Sequence, residues 1–155
     1  MFNQTLASWS AFFPSPAVDI TTSVPVAAND TITVSVSTTE TSGTVTVENK
    51  TQNKKFTQAV SAPNSADPAR LTALTADWWV QAYQVIPGEL VQTPKYGLVA
   101  FTDCTAVTKS GIIVPLNGAG VFDISGTSGQ QYSKTNVTAT GVNVNQCKNL
   151  DGFCT

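Results

Sequence analysis

The strongest constraint on this chain is the period-two alternation of β-branched and hydroxyl residues. In Thr31-Ile32-Thr33-Val34-Ser35-Val36-Ser37, the residues Ile32, Val34 and Val36 point one way and the hydroxyls the other, as in a strand with one face on a core. Ser42-Gly43 separates that run from a second one, Thr44-Val45-Thr46-Val47-Glu48-Asn49, and residues 49–53 supply turn chemistry. The pair predicts an antiparallel hairpin. Further strands are predicted over 8–13, 55–61, 76–85, 97–105, 120–125 and 136–144. β-branched residues are abundant and Pro or Gly recurs at the breaks, so no helix is required. The expected fold is all-β: a sandwich of antiparallel sheets connected through 62–70, 87–94 and 109–119.

The length of 155 residues fits a single domain over 1–155. Only 12% of residues are charged and the net charge is −2, so there is no electrostatic footprint for nucleic acid and no nucleic-acid partner is expected. Histidine is absent, which removes Ser-His-Asp and Cys-His nucleophiles and every imidazole metal site. No metal and no cofactor are expected. No apolar stretch is long enough to span a membrane, so no membrane partner is expected either. Residues 1–13 lack the basic start and continuous apolar run of a signal peptide, which reads as a mature or recombinant form of the chain.

Cys147 and Cys154 bracket a short polar loop whose length suits a small disulfide ring. A metal site there would need more ligands than two thiols and finds only Asp151 nearby. Cys104 is then odd: a buried small hydrophobe, or a thiol paired with another chain. Asn-X-Ser/Thr triplets at Asn3, Asn29, Asn49 and Asn136 are candidate glycosylation sites. With the expected disulfide and the low charge, they point to a secreted, extracellular protein.

The most informative stretch is Ala76-Asp77-Trp78-Trp79-Val80-Gln81-Ala82-Tyr83. As a strand it sets Ala76, Trp78, Val80 and Ala82 on one face, suited to a core, and Asp77, Trp79, Gln81 and Tyr83 on the other. The second set reads as the wall of a ligand groove or as an ordinary solvent face with two amphipathic aromatics, and composition does not separate the two.

The same stretch resembles the glutamic peptidases (eqolisins), whose heavy chain carries Ala-Glu-Trp-Ile-Val-Glu where this chain has Ala76-Asp77-Trp78-Trp79-Val80-Gln81. Ser8-Trp9-Ser10-Ala11-Phe12-Phe13-Pro14 is similar to the family's Ala-Trp-Tyr-Glu-Trp-Tyr-Pro, and Asn29-Asp30-Thr31-Ile32 to its Gly-Asp-Ser-Ile. Ser42 to Thr51 parallels Ser-Gly-Ser-Ala-Thr-Val-Glu-Asn-Leu-Thr, Tyr96 to Thr102 parallels Phe-Gly-Ser-Val-Thr-Phe-Thr, and Val121-Phe122-Asp123-Ile124 parallels Val-Met-Asp-Ile. The resemblance runs in order from about Thr5 to about Val144. It implies a concanavalin-like, jelly-roll type sandwich of two antiparallel sheets with a peptide groove on the concave sheet. It also implies a mechanism in which a glutamate activates water against the scissile amide and a glutamine stabilises the tetrahedral intermediate.

The departures all concern chemistry. The base position is Gln81, a neutral amide. A second acidic position is Ala11, and the family's catalytic glutamine lies upstream of the Trp-rich segment, in strands with no counterpart here. Asp77, Glu48, Glu89 and Asp103 are the other carboxylates in or near matched segments. The expected function is a catalytically impaired, secreted glutamic-peptidase-like protein with a groove lined by Trp9, Trp79, Gln81 and Tyr83 that takes a peptide or protein ligand. Two alternatives stand beside it: a carbohydrate-binding or host-surface interaction protein taking a glycan, and one chain of an active acid endopeptidase. A second chain, self-association, or a compact fold that never had the N-terminal strands each accounts for their absence.

Overall fold

A computed structural model of the chain describes residues 6–11, 15–39, 41–61, 75–81, 95–126 and 131–147. Among these residues there is no helix, and every strand pair is antiparallel, as the alternating runs predict. The chain divides into two compact units, Met1–Leu74 and Thr75–Thr155.

In the first unit β1 (Trp9–Ser10) pairs with β2 (Val18–Asp19), while β3 (Ile32–Thr38), β4 (Ser42–Asn49) and β5 (Lys54–Ser61) form a meander in that order. The register sets Val34 against Val47, Val36 against Val45 and Val47 against Phe56. The apolar alternation of three strands therefore falls on one face. Ser35, Thr46 and Thr57 share the other, where the two threonine hydroxyls hydrogen-bond at 3.1 Å. Thr39 closes the β3–β4 turn: its N–H donates to Ser42 O at 2.7 Å and its hydroxyl accepts from the Ser42 N–H at 3.0 Å. In the β4–β5 turn Asn53 takes a left-handed φ of 52°, which asparagine tolerates better than most residues.

Ile20, Val24 and Val47 are the buried core of this unit, with Ile32, Val45 and Phe56 packed against them. Each such buried side chain contributes roughly 1.5–3 kcal/mol. Two details differ from the sequence expectation. Gly43 lies inside the ladder rather than between strands, and a Cβ there would stand 3.0 Å from Ser37 O. Among the described residues β3 is an edge strand on which Val34 and Val36 remain exposed, because the Ile20–Val24 cluster reaches only its Ile32 end.

In the second unit β6 (Leu98–Phe101), β9 (Ser133–Val137) and β10 (Val142–Gln146) form a sheet with β10 central, and β7 (Ala106–Val107) pairs with β8 (Ile113–Val114). Cys104, Leu116, Val142 and Val144 are buried together, with Trp78, Val80, Phe101 and Val137 against them. The single strand expected over 136–144 is a hairpin instead: Thr138 N–H donates to Gly141 O at 2.8 Å and the chain reverses. The burial phase shifts at the break: odd positions face inward on β9 and even positions, Val142 and Val144, are the buried ones on β10. The strand expected over 120–125 is reduced to one bridge, Ser125 with Gln131. Its ladder is interrupted because the Asp123 side chain, not a backbone carbonyl, accepts the Thr135 N–H at 2.7 Å. Residues 62–70 and 87–94, expected as connections, lie outside the described residues.

Candidate functional site

The segment 75–81 belongs to no helix, turn or strand among the described residues. Its burial alternates: Trp78 and Val80 are half-buried against the β10 core, while Asp77, Trp79 and Gln81 are exposed. The two-face expectation thus holds from 77 to 81, and Ala76 departs from it by being exposed. Trp79 keeps 65% of its surface in solvent, unusual for the largest apolar side chain.

A cleft of about 870 Å³ opens beside this segment within the second unit. Asp77 and Trp79 form one wall, and Asn117, Phe122, Asp123 and Thr135 contribute to the others; Gln81 is not part of it. Phe122 is 88% exposed, so an indole and a phenyl ring both face solvent at the cleft, while among the described residues no lysine or arginine lines it. Apolar walls with a few polar groups are what ligand sites share.

Asp123 is the best-held polar group in the cleft. Its Oδ1 accepts from Thr135 N–H at 2.7 Å, its Oδ2 accepts from Gln131 Nε2 at 2.8 Å, and Lys134 Nζ stands 3.5 Å away. Burial pushes its carboxyl up, but the Thr135 amide, the Lys134 charge and the Gln131 amide together outweigh burial and hold it below the usual carboxylate range. Ser133, fully buried beside it, accepts the Ile124 N–H at 2.7 Å. This network ties the 122–124 segment to β9. The sequence offered one signal for it, a carboxylate in the middle of the apolar run Val121 to Ile124.

The other singled-out residues distribute as follows. Trp9 lies on β1 of the first unit and is 65% exposed. Tyr83, Glu89, Asn3 and Cys154 lie outside the described residues. Glu48 is paired with Lys50 at 2.8 Å, and that contact lowers its pKa. Asp103 occupies a turn with φ 53°. Cys104 is a buried free thiol whose pKa burial pushes up, which suits the small-hydrophobe reading. Asn29 and Asn136 are exposed. Asn49 is fully buried, and its amide donates to Pro25 O at 2.8 Å and to Asp30 Oδ2 at 2.7 Å. Both amide hydrogens are used inside the fold, so Asn49 is a structural residue in the folded chain. Among the described residues no cluster of three or more metal-ligating side chains occurs.

Residues 2–146 match the Peptidase A4 family. Aspergillopepsin-2 of Aspergillus niger is 30% identical over 138 residues, which are 88% of this chain and 46% of that protein. The chain therefore spans about half the length of this curated relative. The crystal structure of aspergilloglutamic peptidase from Aspergillus niger superposes with a TM-score of 0.77 at 29% identity, covering 92% of this chain and 80% of that one. Scytalido-glutamic peptidase, solved with a peptide-based transition-state analogue, superposes with a TM-score of 0.63 at 21% identity, covering 92% and 69% of the two chains, a likeness of fold alone. The all-β architecture is shared with these proteins.

Proposed function

The chain belongs to the Peptidase A4 family, and on that premise we propose that it is a secreted, catalytically impaired glutamic-peptidase relative that still binds peptide. What supports this reading is the resemblance of Ala76 to Gln81 to the family's Ala-Glu-Trp-Ile-Val-Glu run, which puts Gln81 at the general-base position; Gln81 is exposed, two residues from Trp79. A carboxamide oxygen does not take a proton from water, and general-base catalysis is ordinarily worth ~10²–10⁴-fold.

What supports continued binding is the solvent-facing indole of Trp79 at the rim of a cleft with mostly apolar walls, because large aromatic surface is costly to leave in water. Secretion is proposed from the exposed sequons at Asn29 and Asn136, the low charge, and a Cys147–Cys154 disulfide that belongs to the same proposal.

The test compares the parent with Gln81→Glu at acidic pH on an unfolded protein substrate, with circular dichroism confirming that both are folded. The parent is expected to be inert while quenching of tryptophan fluorescence reports peptide binding, and Trp79→Ala is expected to weaken that binding. Cleavage by the parent sinks the impaired reading. Binding to glycans with none to peptides would replace it with the carbohydrate reading. If Gln81→Glu restores cleavage, the remainder of the site is intact and only the base is lost.

A further inference from the structure

We propose that Asn117 is a self-modifying position, which converts without an enzyme from a neutral amide to a carboxylate by attack of the Gly118 main-chain nitrogen. The Gly118 nitrogen forms a bond to Cγ of Asn117, the Cγ–Nδ2 bond breaks, and ammonia leaves with the proton that the attacking nitrogen gives up. The resulting five-membered imide is then opened by water at either carbonyl, giving aspartate or isoaspartate. One water is consumed, one ammonia is released, and no oxidant, reductant or cofactor takes part.

Asn117-Gly118 is the only Asn-Gly step in the chain; every other asparagine precedes a residue with a side chain, as in Asn49-Lys50, Asn136-Val137 and Asn143-Val144. A Cβ on the following residue crowds the attacking nitrogen, and glycine removes that obstacle. The fold keeps the path open. Asn117 is exposed, Gly118 has φ +85°, and among the described residues beyond its two chain neighbours no atom lies within 4 Å of where a Gly118 side chain would stand. Among the described residues neither the Asn117 amide nor the Gly118 N–H makes a hydrogen bond, whereas the turn around them is fixed by Ala119 N–H donating to Leu116 O at 3.0 Å.

Other asparagines are held back by the same fold. Asn49 has both amide hydrogens engaged, and Asn136, Asn143 and Asn145 lie on β9 and β10, whose extended ladder fixes the main chain. The consequence falls on the cleft, because Asn117 lines it together with Asp77 and Asp123, with no lysine or arginine among the described lining residues. Conversion adds a third carboxylate. The isoaspartyl product also lengthens the main chain by one carbon within a turn anchored by the buried Leu116.

The experiment incubates the full folded chain in mildly alkaline buffer and follows peptide-level mass, ammonia release and charge isoforms over time, beside the same chain in urea and beside Asn117→Gln. The expected result is that the acid form accumulates at Asn117 before any other asparagine in the folded chain, with an equivalent of ammonia. The acidic isoform is expected to be absent from Asn117→Gln. The proposal is overturned if Asn117 keeps its amide in the folded chain while converting in urea, or if a different asparagine converts first.

Discussion

The side-chain amide of Asn49 donates to Asp30 Oδ2 across 2.7 Å, joining the end of β4 to the loop that enters β3. The same nitrogen donates to Pro25 O, the Asn49 Oδ1 accepts the Gln52 N–H at 3.0 Å, and Asp30 Oδ2 also accepts from Ala27 N–H and Gln52 Nε2. One buried amide thus satisfies two segments that have no strand partner of their own. Asn49→Ala is expected to cost about 1–3 kcal/mol by stranding these groups, read as a lower midpoint in urea denaturation with an unchanged slope.

The same contact sets a pH dependence. The Asn49 amide first, and the Ala27 N–H next, hold the Asp30 carboxyl below its ordinary value of 3.8 against an upward push from burial. A carboxyl with a depressed folded-state pKa stabilises the fold above its unfolded value, and that contribution disappears as pH falls through the folded value. Asp30→Asn is therefore expected to melt below the parent at neutral pH, with the gap narrowing as the buffer is taken below 3.8. A gap that stays constant through that range would remove Asp30 from the acid response.

Glycan occupancy should divide the sequons by accessibility. In a secretory host, Asn29 and Asn136, both exposed, are expected to carry glycan, and Asn49 is expected to be bare because its amide has no free hydrogen and no surface. Glycopeptide mass mapping reads each site separately. Substantial occupancy at Asn49 in folded, secreted protein would contradict the placement of that side chain.

Gly141 and Gly120 make a matched pair. A Cβ on Gly141 would stand 2.8 Å from the backbone oxygen of Phe101, whereas one on Gly120 meets only the edge of the Phe122 ring at 3.6 Å. Gly141→Ala is expected to destabilise by about 1–3 kcal/mol, as overpacking against a fixed backbone does. Gly120→Ala is expected to stay within about 0.5 kcal/mol of the parent. Thermal melts of the two variants side by side check the contrast.

The meander β3-β4-β5 and the two faces of 77–81 were legible in the sequence, because strand alternation is a local property and needs no knowledge of the partner strand. So was the family, because its motifs recur in order along the chain. The sequence therefore determined an all-β chain of Peptidase A4 type. The hairpin between β9 and β10, the Asp123 network and the burial of Asn49 were decided only by the tertiary structure. Each depends on which distant backbone group a side chain meets once register is set: Asp123 meets the Thr135 N–H, Asn49 meets Pro25 and Asp30, and Gly141 meets Phe101. Those encounters are fixed by cross-strand pairing and by the loss of water around the paired groups, and neither quantity is written in any short run of residues.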